Sequence, residues 1–399
     1  MLEENRKHIL LVAPYLTFPD EPGANRFITI AKLLSKEFDV TLVTSRFSHF
    51  LKKQRDSITK LDDVDVVLLD EPGYKTNVSI QRFMSHNIFC KNFEKFLLSY
   101  NKKIDVAYSA YPLIKTNYIL GKLKSQRGYK LIIDVQDIWP EAIAGPIPML
   151  STSIGKLLLS PIVNYANKTY SYADALVAVS QTYLDRANIR KLPETLAKVV
   201  FIGADELYEK NNEKQESERL LVTYIGTMSG SYDLETVVRA APLCKQYVDI
   251  QFIGGGPEEQ KLQDLNKELG SNVSFLGSHS YKEAMSMLVE SDVAINPLKK
   301  TAEQSVTNKL SDYFCCGLPI VSCQENKEVQ ALLAQGGGIQ YLSGDFHGLS
   351  SVLSGIANNK EQLKRMREIN RKIGKEKFFR PTSYLVINQL IHEVSNNEP

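Results

Sequence analysis

Short apolar runs recur along this chain and alternate with stretches whose hydrophobic positions return every three or four residues. In the first half the apolar runs fall at 8–13, 38–44, 64–69, 104–108, 130–135 and 175–179, with one more at 198–202. Runs this short and this uniformly apolar predict strands buried on both faces, hence a parallel sheet. Between them, 25–37, 80–100, 112–125 and 153–172 carry the helical period. The pattern then restarts. Strands are predicted at 220–225, 248–253, 272–275, 292–295, 319–322 and 338–341, with helices at 233–246, 257–269, 281–290, 305–316, 325–334 and 347–356. Strand–helix alternation of this kind predicts doubly wound α/β domains. A polar stretch at 205–219 is the linker candidate, and the tail from 360 to 394 reads as helix interrupted near Pro381. Two α/β lobes are therefore expected, with ligands beyond the carboxyl ends of their strands.

Composition adds few constraints. A length of 399 residues suits two domains, and 43% hydrophobic with 24% charged residues is ordinary for a globular protein. Residues 1–200 carry a formal +7 and residues 201–399 a formal −5. That asymmetry fits an anionic partner or a membrane surface on the first half, or simply an unevenly charged solvated surface. Five cysteines without a Cys-x-x-Cys spacing argue against a disulfide framework or zinc site and for a reducing compartment. The charged start and the strand-sized run that follows do not read as a signal peptide. No window approaches a membrane span. The expected location is cytoplasmic, with room for peripheral contact with the inner face of a membrane. Nothing in the chain points to nucleic acid.

Three glycine-bearing turns follow predicted strands: Pro22-Gly23-Ala24-Asn25-Arg26, Gly226-Thr227-Met228-Ser229-Gly230 and Gly254-Gly255-Gly256-Pro257. Each one alone reads as a tight turn. Two in adjacent strand–helix units read equally well as a phosphate cradle. None is a Walker loop. Glu259 stands where a dinucleotide fingerprint needs its last small residue, which argues against a nicotinamide site. In Ser305-Val306-Thr307-Asn308-Lys309-Leu310-Ser311-Asp312-Tyr313, Lys309 and Asp312 share a helix face and Ser305 is placed to cap its start. The pair reads as a surface ion pair, or as a cation for a diphosphate beside a carboxylate for ribose hydroxyls. The six histidines show no paired ligand spacing. Asp63-Val64-Asp65 precedes its strand instead of ending it and reads as a surface turn, so no metal site is expected.

From residue 220 to 344 the chain resembles family 4 retaining glycosyltransferases, and within them the branch that builds bacterial surface polysaccharides. The resemblance is carried by Tyr224-Ile225-Gly226-Thr227-Met228, Phe252-Ile253-Gly254-Gly255-Gly256-Pro257-Glu258, Asn272-Val273-Ser274-Phe275-Leu276-Gly277, Asn308-Lys309-Leu310-Ser311-Asp312-Tyr313 and Cys316-Gly317-Leu318-Pro319-Ile320-Val321. In the first half, Asp134-Val135-Gln136-Asp137-Ile138-Trp139-Pro140-Glu141 and the strand ending at Ser180 extend it over nearly the whole chain. The resemblance implies a GT-B fold: two Rossmann-like domains facing a cleft, residues 1–203 on the acceptor side and 204–377 on the donor side. A final helix within 378–399 would cross back to the first domain. It implies a nucleotide-sugar donor, UDP- or GDP-linked, as substrate without a further cofactor, and a glycan or lipid-linked acceptor.

By the match, Lys309 holds the diphosphate and Asp312 the ribose. Gly226, Thr227, Gly254, Gly256, Ser305 and Asn308 would line the donor site, with Gly23 and Arg26 reaching the phosphate from the other lobe. Transfer would retain anomeric configuration by front-face attack, without metal, the leaving diphosphate accepting the acceptor's proton. The family's first glutamate in this region falls at Gln304, with Glu303 beside it as the substitute candidate, and its second is Asp312. Thr227 stands where a basic residue is frequent, and Gln136 where a histidine is common. Asp137 is then the candidate acceptor-side or catalytic carboxylate, or else a cap for its own loop. A nucleotide-sugar epimerase of the same fold, or a silent nucleotide-binding subunit, are the alternatives.

Overall fold

The computed structural model describes residues 6–21, 26–77, 79–141, 152–210, 219–300 and 306–396. The chain divides into two compact units, residues 1–200 with 384–399 and residues 201–383.

Among the described residues, unit 1 is built on seven parallel strands. They are β1 (His8–Val12), β2 (Asp39–Ser45), β5 (Val64–Leu69), β6 (Val106–Tyr111), β7 (Lys130–Val135), β8 (Ala175–Ala178) and β9 (Ala197–Val199), in spatial order β5-β2-β1-β6-β7-β8-β9. A short antiparallel hairpin, β3 (Phe47–Ser48) with β4 (Lys53–Gln54), lies beyond the end of β2. It was not predicted, because two-residue strands leave no periodicity to read. The strands of β1 and β6 are buried throughout, as continuous apolar runs require, and helices cover both sheet faces. One face packs α1 (Arg26–Leu34) and the C-terminal α14 (Leu385–Asn396), through Phe27, Ile30, Leu34, Ile387 and Leu390. The other packs α2 (Ile80–Ser99), α3 (Ile114–Arg127) and α4 (Ser153–Tyr170), through Phe89, Phe93, Leu120, Ala166 and Tyr170. A short α5 (Gln181–Ala187), capped by Ser180, follows β8.

Unit 2 repeats the architecture. Its strands are β10 (Leu220–Ile225), β11 (Val248–Ile253), β12 (Val273–Phe275), β13 (Val293–Asn296), β14 (Ile320–Ser322) and β15 (Gly338–Gln340). They are parallel, in order β12-β11-β10-β13-β14-β15. The helices are α6 (Leu234–Cys244), α7 (Glu259–Glu268), α8 (Tyr281–Leu288), α9 (Asn308–Cys315), α10 (Lys327–Leu333), α11 (Phe346–Ala357) and α12 (Lys360–Ile373). A π-turn, Gly374–Phe378, and the short α13 (Arg380–Ser383) complete the unit.

The expected boundaries shift slightly. Residues 201–203 and 378–383 belong to unit 2, because Phe378 stacks between Phe201 and Phe314 and Arg380 bonds Asp205 and the Ile202 carbonyl. The chain joins unit 1 only at Tyr384, whose ring is wholly buried there.

Candidate functional site

The convergent chemistry of unit 2 gathers at the carboxyl ends of β10, β11 and β13, where its glycines also sit. β10 and β11 are hydrogen-bonded neighbours, so the turns leaving them run side by side. They are fastened to each other: the Gly226 N–H donates to Ile253 O at 2.9 Å, Met228 N–H to Gly255 O at 2.9 Å and Glu258 N–H to Met228 O at 3.0 Å. The Gly254 N–H donates to Gly277 O at 2.8 Å. Gly254 has φ +127°, and a Cβ there would stand 2.2 Å from the Gly226 carbonyl oxygen. At Gly226, φ +130°, a Cβ would stand 3.0 Å from the Lys309 ammonium nitrogen. These glycines therefore let two turns and a lysine occupy a space that side chains would fill. The N–H groups of Gly226 and Met228 serve this fastening and that of Gly254 bonds the turn after β12, where the sequence left a tight turn and a phosphate cradle equally open.

Lys309 and Asp312 lie one turn apart on α9. Thr307, extended at φ −84°, is the N-cap residue and makes no side-chain cap bond. The helix thus starts after the position where Ser305 would cap it. Ser305, Glu303 and Gln304 fall outside the described residues, as does Gly23. Tyr313 anchors the helix: its hydroxyl donates to Ile295 O at 3.0 Å and accepts from the Ile225 N–H at 3.2 Å. This joins α9 to the ends of β13 and β10.

The Lys309 side chain is 8% exposed. Its ammonium donates to the Tyr224 hydroxyl at 2.9 Å, which in turn donates to Thr227 O at 2.7 Å. It also lies 4.2 Å from the Tyr224 ring centroid and 3.5 Å from that of Tyr232. Among the described residues no carboxylate stands within ion-pair distance of it. Burial pushes the ammonium well below the ordinary lysine range, with Asp312 pulling the other way. The Asp312 carboxylate accepts from the Tyr281 hydroxyl at 2.7 Å. Burial pushes its carboxyl up to about 6, against the lowering effect of Tyr281, Arg380 and Lys309. The two groups are thus buried and far from a surface ion pair. Asn308 and Thr227 are exposed beside them.

The aromatic lining was not read from the sequence. Tyr224 is the penultimate residue of β10, Tyr232 follows the first turn, Tyr281 opens α8 and Tyr313 lies inside α9. Tyr224 and Tyr313 stood inside motifs already singled out, and the signal available was a tyrosine where a buried strand or helix calls for an aliphatic residue. A buried lysine over tyrosine faces gains cation–π attraction of about 0.5–2 kcal/mol per ring. That offsets part of the cost of burying a charge without a counter-ion.

Two further candidates belong to unit 1. Arg26 was expected at the donor phosphate. The structure corrects this: it is 3% exposed, with Nε 3.0 Å from Asp134 and Nη1 2.8 Å from the Tyr384 hydroxyl. Asp134 also accepts from the Tyr108 hydroxyl at 2.7 Å. Arg26 thus ties α1, β6 and β7 to the C-terminal segment. An arginine at the first position of a helix gives no sequence sign of which way it turns. Asp137 follows β7, where its carboxylate accepts from the Ile138 N–H at 2.8 Å. Burial raises its pKa from the usual aspartate value. It caps its own loop as a half-buried carboxyl.

Asp63 takes φ +58° just ahead of β5, and Asp65 pairs with Lys102 at 2.7 Å on the surface. Among the described residues no group of three or more His, Cys, Asp or Glu side chains could hold a metal ion.

The fold is GT-B. Residues 219–349, within unit 2, match the family model described as glycosyl transferases group 1. No curated protein matches the chain. Solved structures match over nearly all of it. HepE of Anabaena in complex with UDP is 16% identical, with TM-score 0.67 over 98% of this chain and 100% of that one. Sucrose-phosphate synthase of Thermosynechococcus elongatus is 15% identical, with TM-score 0.71 over 98% and 99%. The lipopolysaccharide outer core galactosyltransferase WaaB is 14% identical, with TM-score 0.63 over 97% and 99%.

Proposed function

We propose that this protein is a glycosyltransferase that moves a sugar from a nucleotide-sugar donor to a glycan or lipid-linked acceptor. The observation that carries the reading is Lys309: a buried ammonium over two tyrosine rings, without an ion-pair partner among the described residues, beside two glycine turns in the segment that matches the group 1 family. The diphosphate of the donor supplies the missing anion. Asp312, set by Tyr281, accepts the ribose hydroxyls. A UDP- or GDP-linked donor fits this arrangement, and HepE binds UDP and UDP-glucose in its own structures.

In the reaction, negative charge grows on the departing diphosphate, and Lys309 with the positive end of α9 stabilises it. Configuration is retained and no metal is required, the diphosphate taking the acceptor's proton. Asp137 serves the acceptor side. The product belongs to bacterial surface polysaccharide, made at the cytoplasmic side of the membrane. Peripheral membrane contact is supported by α4, which leaves Ile154, Leu157, Leu158 and Ile162 exposed along one stripe. Helices α2, α3 and α4 together hold nine basic residues and one acidic. Among the described residues no helix is long and apolar enough to cross a membrane.

Melting curves with UDP, GDP, CDP, ADP and NAD test the reading. A ligand at about 100 times its Kd stabilises by about 2.7 kcal/mol. A shift selective for one nucleoside diphosphate, followed by transfer from its sugar conjugate, is expected. A shift with NAD alone overturns the proposal.

A further inference from the structure

A second group of chemistry-bearing side chains lies in unit 1, beyond the carboxyl ends of β1, β2 and β5. Tyr15 follows β1, His49 and Lys52 lie between β3 and β4, Tyr74 follows β5, and Arg82 and His86 occupy the first two turns of α2. The Tyr15 hydroxyl lies 3.1 Å from His86 Nε2, and the Tyr74 hydroxyl bonds His49 Nδ1. The rings form one cluster: Tyr15 is 5.1 Å from His49 and 5.4 Å from His86, and Tyr74 is 5.5 Å from His86. The Arg82 guanidinium sits 5.6 Å from the Tyr74 ring and 5.9 Å from the Tyr15 ring, and the Lys52 ammonium 4.7 Å from Tyr74.

A cavity of about 440 Å³ opens beside this cluster. Lys52, Lys53 and Lys75 line it together with Tyr74, and Met84 and Ile88 form an apolar wall. That volume holds a small organic ligand. Its lining contains no carboxylate among the described residues. Among them, too, Lys52, Lys53, Lys75 and Arg82 make no ion pair. Glu71, nearby and 8% exposed, is occupied by the hydroxyls of Ser45 and Ser85. Lys52 holds φ +55°, a left-handed conformation rare for a non-glycine residue, and lines the cavity. Burial, then the neighbouring cations Lys52 and Arg82, depress both His49, to about 4, and His86, to about 3. Both imidazoles are therefore neutral at pH 7, and each offers one donor and one acceptor.

We infer that this cavity is an oxyanion subsite that binds a phosphate group, with Lys52, Lys53 and Lys75 as its cations and Tyr74 as its polar floor; the Tyr74 hydroxyl bonds His49 and lies 3.5 Å from His86, which couples both imidazoles to the cavity. Unpaired lysines around an apolar-walled cavity suit phosphate, which lysine binds as a point charge. That the phosphate belongs to the acceptor rests on the transferase reading; that the cavity takes a phosphate does not.

The test uses the full chain and reads binding without turnover. Imidazole 1H–15N spectra are followed during titration with inorganic pyrophosphate, His49→Gln and His86→Gln assigning the two signals. The signals of His49 and His86 should shift saturably while the other four histidines stay fixed. The double variant Lys52→Ala/Lys75→Ala should weaken the binding at least tenfold with its melting temperature kept. Lys309→Met should leave these shifts unchanged. Still signals, or equal affinity in the double variant, overturn the subsite whether or not the protein transfers sugar. Farnesyl phosphate and glucose 1-phosphate then distinguish the sources. Tighter farnesyl phosphate binding that Met84→Glu removes supports a lipid phosphate, and equal or tighter glucose 1-phosphate binding supports a sugar phosphate.

Discussion

Replacing Lys309 by methionine separates what this residue does for the fold from what it does for a ligand. Methionine follows nearly the same path through the pocket and carries no charge. The fold loses one hydrogen bond to Tyr224 and two cation–π contacts, about 1.5–5.5 kcal/mol in all. It is relieved of a buried ammonium whose desolvation costs several kcal/mol. The two effects nearly cancel, and the melting temperature of Lys309→Met should stay within a few degrees of that of the wild type. The ligand side changes the other way. A charge-assisted hydrogen bond to a diphosphate contributes about 1.5–3 kcal/mol, so affinity for the stabilising nucleoside diphosphate should fall about 10- to 100-fold.

Calorimetry in two buffers of different ionisation enthalpy adds an independent signature. Burial holds the free ammonium low, and an anion restores its charge, so the wild type should take up protons on binding at pH above that lowered pKa. Its affinity should fall as pH rises further, and the variant should show neither effect. A variant that melts far below the wild type yet binds with unchanged affinity and proton count would refute the reasoning.

Three further expectations follow from the same geometry. Because the Asp312 carboxyl is raised from 3.8 to about 6, its ionisation opposes folding, and wild-type stability should fall between about pH 4 and 6. Asp312→Asn should thus melt higher at pH 7, the gap closing as pH falls through this window, while diphosphate affinity drops; a pH-independent gap counts against the assignment. Gly254→Ala places a Cβ 2.2 Å from the Gly226 carbonyl oxygen at φ +127°, which should cost about 2–5 kcal/mol in denaturant titration, whereas Gly344→Ala, with open space around it, should lose only its φ strain. Leu157→Glu/Leu158→Glu should abolish cosedimentation with vesicles containing anionic phosphatidylglycerol while leaving the melting temperature within a degree or two; vesicle binding that survives would place the membrane contact elsewhere.

Strand positions were legible because buried parallel strands are nearly uniformly apolar: Ile9–Val12 and Val293–Ile295 need no context to be read. Lys309 and Asp312 were legible as a pair because helical spacing puts them on one face. Their burial was not legible, since it depends on Tyr224, Tyr232 and Tyr281 arriving from three other elements. The glycine turns were seen, but a tight turn and a phosphate cradle read equally well, because the bonds of Gly226 and Met228 that hold the turns together leave no local pattern. Arg26 shows the limit most clearly: a glycine turn before it suggested phosphate, and its actual partner, Asp134, is 108 positions away. Long-range pairing of this kind has no local trace.

The return of the chain at Tyr384 sets the order in which the protein can be made. The Arg26–Asp134 pair is completed by the Tyr384 hydroxyl, and Ile387, Leu390, Ile391 and Val394 fill the same core as Ile9 and Leu11. A ribosome finishes β9 of unit 1 and then synthesises the whole of unit 2 before those residues emerge, a delay on the order of 10–40 s at about 5–20 residues per second. Through that interval the first unit has its sheet but an open face, and the second can fold undisturbed. The unit whose residues are translated first is therefore the one that finishes last, and during synthesis it is the nascent first unit that needs shielding from aggregation.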